Sequence, residues 1–450
     1  MPTFYIQQFG CRATQADGAA IERQLLDRGC TLSDSPVTAD VVVLNTCTVT
    51  SAADTQAREA IRKLHKSSPA ARIIVTGCYA QRAPEEIAAL PGVSFVVGNS
   101  HKPQIPDLIS PPAARMASSP DFISLHALSA ASAPVLGGEG KHTRPTLKIQ
   151  DGCNNRCAFC VIPFVRGKSR SLSPETVIDE VRRLSESGYK EIVLSGINLG
   201  AWGRDLSPRR DFLDLLRQIL DQTPVERLRL SSIEPLDVTR DLVALFASTD
   251  RLAEHFHMPL QSGSDHILAA MHRWYRSEHY SRRIEFIREQ LPHAAIGADI
   301  IAGFPGERED DHAATMHFVE SRSFTYLHVF SYSVRPGTRA AALPNHVSPA
   351  TIQRRARELR ALSEAKSDVF HRAQSGRRLS LLTLRHSDSS ESAEWTPTLS
   401  SNFLKLRLAG FWPPNQFVDA ICCPESRRSY SAGVPALRAP APMSAQGTKA

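Results

Sequence analysis

Thr146-Leu-Lys-Ile-Gln-Asp-Gly-Cys153-Asn-Asn-Arg-Cys157-Ala-Phe-Cys160 is the stretch on which the fold turns. Thr146–Gln150 reads as a strand, and three residues later a loop supplies three cysteines at C-x3-C-x2-C spacing. Spacings this short let one loop wrap three thiolates around a single metal centre. A structural zinc site wants a fourth ligand close by, which Asn154, Asn155 and Arg156 do not provide. Three ligands on a four-iron cluster leave one iron open, and an open position separates catalytic metal sites from structural ones. Without its context, the motif also fits a structural metal knuckle.

Outward from this loop, strands and helices alternate. Further strands are expected at Glu191–Ser195, Arg227–Ser232, Glu254–Leu260, Ile296–Ala302 and Tyr326–Ser331. Helices are expected at 174–187, 211–222, 237–247, 264–290, 309–322 and 349–371. Six β/α units predict a partial (β/α)6 barrel related to the TIM barrel, with the cysteine loop on the face where barrel active sites lie. An open doubly wound sheet is the alternative that the pattern alone leaves standing.

Residues 1–102 show the same alternation on a smaller scale. Strands Thr3–Phe9, Val41–Thr46, Arg72–Thr76 and Val93–Gly98 enclose helices at Thr14–Arg28, Ala52–Lys66 and Pro84–Leu90, a parallel α/β domain. Cys11, Cys47 and Cys78 each follow one of these strands. Loops after parallel strands gather on one sheet edge, so the three thiols can converge on a second metal centre. The plainer alternative is three small buried residues.

Residues 103–145, with their prolines and the run Gly137-Gly138-Glu139-Gly140, read as a linker. The barrel domain is then 146–371. Residues 372–430, with short strands at Arg378–Leu384 and Phe403–Leu408, read as a small β-barrel, and 431–450 as a disordered tail.

At 42% apolar residues the chain has enough material for real cores, and no apolar run approaches the roughly 18 residues of a membrane span. The start lacks the features of a secretion signal, so a cytoplasmic protein with no membrane association is expected. An odd count of nine cysteines favours metal or redox chemistry over disulfides. The net charge of +7 is compatible with a polyanionic partner but is weak on its own.

The C-x3-C-x2-C run with Phe159 before its last cysteine is similar to the radical S-adenosylmethionine superfamily. With both triplets present, the chain resembles the methylthiotransferases over most of residues 1–410. Matching stretches include Leu44-Asn-Thr-Cys-Thr-Val-Thr50, Ile162-Pro-Phe-Val-Arg-Gly-Lys-Ser-Arg170 and Ser195-Gly-Ile-Asn-Leu-Gly200. Others are Arg229-Leu-Ser-Ser-Ile-Glu-Pro235, Pro259-Leu-Gln-Ser-Gly-Ser264 and Asp299-Ile-Ile-Ala-Gly-Phe-Pro-Gly306.

The resemblance implies two [4Fe–4S] clusters. Cys153, Cys157 and Cys160 would hold the one that cleaves S-adenosylmethionine to a 5′-deoxyadenosyl radical, and Cys11, Cys47 and Cys78 the one that handles sulfur. It places Phe159 near the adenine, Gly196 and Asn198 at the cofactor's amino group, Gln261 at the end of the fourth strand as a further cofactor-binding residue, and Asp299-x-Ile301-x-Gly303 behind the adenine; a tight turn at Gly196 and a helix cap by Ser262 or Ser264 are the plainer alternatives. The final domain resembles TRAM, a small tRNA-binding β-barrel, most clearly at Leu399-Ser-Ser-Asn-Phe-Leu-Lys-Leu-Arg407.

The expected partner is a tRNA anticodon stem-loop. Lys148-Ile-Gln-Asp-Gly-Cys153 and Gly77-Cys-Tyr-Ala-Gln81 look most like the branch that methylthiolates threonylcarbamoyladenosine. The branch acting on isopentenyladenosine and the one modifying a ribosomal-protein aspartate are the alternatives within the family. A non-catalytic iron–sulfur RNA-binding protein is the alternative outside it. The sulfur donor and reductant are not specified by the sequence. Arg166, Lys168 and Arg170 are expected to grip phosphates. Arg354, Arg355, Arg357 and Arg360 are expected on a solvated helical face. Cys30, Cys422 and Cys423 are expected not to be ligands.

Overall fold

A computed structural model describes residues 2–109, 143–385, 395–423 and 436–438. The first domain is a five-stranded parallel sheet in the spatial order Thr31–Leu32, Thr3–Gln8, Val41–Thr46, Arg72–Gly77, Val93–Val97. Val41–Leu44 are wholly buried because helices cover both faces, which is why this strand reads as a continuous apolar run. The strand order reverses between Thr3–Gln8 and Val41–Thr46, and such a switch point opens a crevice at the carboxyl ends of the strands. The domain continues past the boundary expected at 102. Helix Ile105–Ile109 packs Ile105, Leu108 and Ile109 against Phe4, Ile21 and Val41, so the expected linker begins with part of this core. The Gly137–Gly140 run lies outside the described residues.

The central domain places six parallel strands side by side in chain order: Thr146–Asp151, Glu191–Gly196, Arg227–Leu230, His255–His257, Ala295–Ala302 and Tyr326–Ser331. Isolated bridges Leu228↔Leu252 and Ser232↔His257 join the two halves. Chain-order neighbours with helices on one side are barrel topology; a doubly wound sheet would reverse its order partway. Among the described residues no pairing links the last strand to the first, so the barrel is open on one side. Helix Arg12–Asp27 of the first domain packs on Thr146–Asp151 and Glu191–Gly196.

The sequence predicts one helix over 264–290, but the structure breaks it into Asp265–Ala270 and Ser277–Gln290. His272 at the break has a left-handed backbone, φ +62°. Met271 there accepts a hydrogen bond from Ala158 N in the cysteine loop (2.9 Å), so the break serves the site.

In the last domain, Arg378–Thr383, Trp395–Ser400, Lys405–Ala409 and Phe417–Cys422 form a curled antiparallel sheet. Ala436–Arg438 pairs with its two outer strands and closes it, so the barrel extends beyond the expected limit at 430. The remainder of the expected tail lies outside the described residues. Glu191, fully buried at the amino end of the barrel, pairs with Arg144, Arg227 and Arg229. Arg227 and Arg229 in turn donate to the carbonyls of Ser380, Leu399, Ser400 and Ser401, docking the last domain. No described helix is long and apolar enough to cross a membrane.

Candidate functional site

The Cys153–Cys160 loop is braced at several points. Cys153 N donates to Gly167 O (3.0 Å) and Ala340 N to Ala158 O (2.8 Å). Gly152 precedes it at φ +70°, and a Cβ there would lie 2.0 Å from Lys168 O, so the turn into the loop requires glycine. Gln150 ties the loop to the next strand end. Its Nε2 donates to Gly152 O (2.8 Å) and Ser169 Oγ (2.9 Å), and its Oε1 accepts from Asn198 N (2.8 Å). Asn198 thereby stands beside Cys153, with its own Oδ1 buried and unpartnered. Phe159 packs with Ile301 against Ala158, Ile267, Met271 and Phe304. Gln261, 8% exposed, holds φ +68°, a cost that a non-glycine residue bears only where its surroundings impose it.

The sequence reading missed Arg273. It is buried, and its Nη1 donates to Cys157 Sγ (3.3 Å), its Nε to Tyr275 Oη (3.3 Å) and its Nη2 to Glu234. Burial raises the carboxyl of Glu234, with Arg273 pulling the other way. Tyr275 is anchored by Pro259 O (2.6 Å), so the guanidinium has little freedom.

The second triplet assembles at the switch point. Cys11 leads into helix Arg12–Asp27, Cys47 follows Val41–Thr46, and Cys78 opens the helix after Arg72–Gly77. Gly10, at φ +98°, lets the Cys11 loop lie on Cys47, because a Cβ there would be 2.7 Å from Cys47 Sγ. Arg166 Nε donates to Cys78 Sγ (3.3 Å). This corrects the expectation that Arg166 grips phosphate: it is 2% exposed and paired with Asp17 (2.9 Å) and Asp151 (3.0 Å). Asp17 also receives Lys102 and Lys148, and Asp151 receives Lys148. Three cations thus face two carboxylates. Asp151 lies two residues before Cys153, so Arg166 and its partners link the two cysteine sites. Arg355 also departs from expectation: it is buried against Glu307 (2.8 Å), not solvated. Arg170 spends Nη1 on the carbonyls of Arg166 and Lys168.

Both triplets suit a polynuclear cationic centre. Burial, together with Cys11 and Cys78, pushes the Cys47 thiol up to about 12. Burial, together with Cys157 and Cys153, does the same to Cys160, also to about 12. Thiols that oppose each other's ionisation become thiolates when a metal centre supplies the compensating charge. A single zinc ion with thiolate bonds near 2.3 Å would hold sulfurs about 3.8 Å apart. Among the described residues, the set whose ligand atoms all lie within 4.8 Å of one another is instead His257, Asp299 and His328. Neither cysteine triplet has its sulfurs all within that distance of one another, so neither is drawn up around a single ion. Cys30 and Cys422 lie in apolar cores, away from either site.

His257, Asp299 and His328 occupy adjacent barrel strands. Asp299 Oδ1 meets His257 Nε2 (2.9 Å) and His328 Nδ1 (3.3 Å), while Tyr326 Oη meets His257 Nδ1 (3.0 Å) and His255 Nε2 (2.7 Å). Burial raises the Asp299 carboxyl, but the hydrogen bonds from His257 and His328 outweigh it and hold the group well below its ordinary range. At the strand where an adenine-backing role was expected, Asp299 is therefore engaged by two histidines.

Residues 3–98 match a model described as Uncharacterized protein family UPF0004, and residues 147–319 match the Radical SAM superfamily. The chain is 37% identical to the threonylcarbamoyladenosine tRNA methylthiotransferase MtaB of Bacillus subtilis, over 81% of each chain. It is 34% identical to the protein of that name in Aquifex aeolicus, over 90% of this chain and 96% of the other. It is also 36% identical to the tRNA-2-methylthio-N(6)-dimethylallyladenosine synthase of Streptomyces coelicolor, over 92% and 83%. The radical S-adenosylmethionine methyltransferase TsrM of Kitasatospora setae has a similar fold (TM-score 0.56, 14% identity), covering 76% of this chain and 74% of that one.

Proposed function

Because the chain belongs to the radical S-adenosylmethionine tRNA methylthiotransferases, we propose that it converts N6-threonylcarbamoyladenosine beside the tRNA anticodon to its 2-methylthio derivative. Enzymes of this family carry two [4Fe–4S] clusters and use S-adenosylmethionine. The observation that carries the assignment of ligands is the gathering of two separate cysteine triplets, each beside a buried guanidinium, Arg166 or Arg273.

Cys153, Cys157 and Cys160 would hold the cluster that takes the cofactor, and Cys11, Cys47 and Cys78 would hold the sulfur-handling cluster. When bound and reduced, the cofactor supplies a 5′-deoxyadenosyl radical, which can take hydrogen from a carbon no base can deprotonate. The protein's own residues bind and orient. Asn198, with its unpartnered Oδ1, and Gly196 receive the cofactor's amino group, Phe159 and Ile301 flank the adenine, and Gln261 closes the fourth strand. Arg273 fixes Cys157, and Arg166 fixes Cys78. Residues up to 109 thus handle sulfur, 143–371 generate the radical and 372 onward bind RNA.

For the substrate, the partly exposed His257–Asp299–His328 wall supports a polar N6 substituent over an apolar one, since its ring nitrogens and carboxylate offer hydrogen bonds that an apolar group cannot use. Nucleoside mass spectrometry of tRNA from cells with and without the gene tests this. Loss of 2-methylthio-threonylcarbamoyladenosine is expected. Loss of the isopentenyl product instead would overturn it.

A further inference from the structure

Arg12 is the first residue of helix Arg12–Asp27 and follows Cys11 directly. The helix crosses the first two barrel strands, and Asp17, five residues on, is locked to Lys148 and Arg166 of the central domain. The first domain therefore inserts Arg12 against the barrel in a fixed position. Its ionisable neighbours are Arg144, Arg229, Glu191 and Tyr326.

Arg12 is partly withdrawn from solvent, yet among the described residues it has no hydrogen bond and no ion pair. Glu191, the neighbouring carboxylate, is already shared by Arg144, Arg227 and Arg229. A guanidinium cannot shed its proton and presents five donors, so leaving it without acceptors costs free energy. That cost is recovered if an anion arrives during function. Tyr326, whose charge acts on Arg12, begins the strand that carries His328 two residues on, on the same face. His328 is 55% exposed at its side chain and Asp299 22%, so this wall is open to a ligand.

We propose that Arg12 binds the carboxylate of the substrate's N6-threonylcarbamoyl group, with His328 and Asp299 facing its hydroxyl and urea. The inference rests on the substrate reading above and names the residue that selects for it. The isopentenyl group has no anion and would leave Arg12 unpaired beside Arg144 and Arg229. Arg12 also sits next to a cysteine of the sulfur-handling triplet, so binding the substituent there brings the adenine ring to the side where sulfur is delivered.

The test uses the full-length reconstituted protein and anticodon stem-loop RNAs bearing threonylcarbamoyladenosine, its methyl ester or isopentenyladenosine. Binding is read by fluorescence anisotropy, and KM and kcat are read separately. A charge-assisted hydrogen-bond pair is worth about 10- to 100-fold, so wild-type protein should bind the acid that much more tightly than the ester. Arg12→Gln should erase the difference by weakening acid binding and raising KM, with iron content unchanged, and Arg12→Lys should restore part of it. An ester that binds as well as the acid to wild type overturns the inference with no variant needed. So does Arg12→Gln that discriminates as wild type does, or that loses affinity equally for all three RNAs, which is the mark of a phosphate contact. Wild-type methylthiolation of the isopentenyl RNA alone would overturn the substrate reading itself, and this inference with it.

Discussion

Replacing Asp17 by asparagine keeps the shape of the side chain and removes one charge from the network that joins the two cysteine sites. Asp17 is wholly buried, and Lys102, Lys148 and Arg166 are at most 2% exposed at their side chains. In the variant three buried cations face Asp151 alone. Removing one partner of a buried ion pair costs about 3–5 kcal/mol, because the charge left behind has lost both water and its counter-ion. A chain of several domains does not unfold in one step, so a single melting temperature would not report this cost. Native-state hydrogen exchange does: amides of helix Arg12–Asp27 should open about 150- to 5000-fold more readily in Asp17→Asn. Burial alone would raise the Asp17 carboxyl, but Lys102, Lys148 and Arg166 together hold it well below the ordinary carboxylate value. Its stabilisation is then complete above the ordinary value near pH 4 and fades only as pH falls through the lowered one. Wild type and variant should differ at neutral pH and converge only in strong acid. A change of less than about threefold at neutral pH would refute the argument that this network clamps the domains together.

Three further outcomes follow from the same geometry. Reconstituted wild type should hold about eight irons per chain, with Cys47→Ala or Cys157→Ala losing about half and Cys30→Ala or Cys422→Ala none; equal loss in all four would refute the ligand sets. Cys157→Ala should form no 5′-deoxyadenosine, whereas Cys47→Ala should form it without methylthiolated product, and loss of cleavage in both would refute the division of roles. Glu191→Gln leaves Arg144, Arg227 and Arg229 without their carboxylate, at a cost of about 3–5 kcal/mol, and should make the segment after residue 372 susceptible to protease; an unchanged digest would show that other contacts dock the last domain.

The positions of the cysteines at strand ends were legible because their geometry is local: one triplet lies in a single loop, and each member of the other follows an apolar strand. The clamp between them was not, since Asp17 meets partners far along the chain and an acidic residue on a helix ordinarily faces solvent. A signal was nonetheless present. Asp17 sits on the same stripe as Ala13, Ala16, Ala20 and Ile21, all buried, so helical periodicity already placed a carboxylate on an apolar face. Arg355 beside Ala356 and Leu359 gives a similar warning. The break at His272 had no glycine or proline to announce it, and Arg273 was missed with it. Trp395–Ser400 escaped because Pro397 interrupts a strand-like run.

The most direct test is a competition. Purified wild-type protein, reconstituted anaerobically and supplied with S-adenosylmethionine, sulfide and a reductant, is given equal amounts of threonylcarbamoyladenosine and isopentenyladenosine stem-loop RNAs, and the products are resolved by mass spectrometry. A 2-methylthio mass on the threonylcarbamoyl RNA, with 5′-deoxyadenosine formed alongside it, is the result this account predicts. The methylthio group on the isopentenyl RNA alone, or 5′-deoxyadenosine with neither RNA modified, would contradict it.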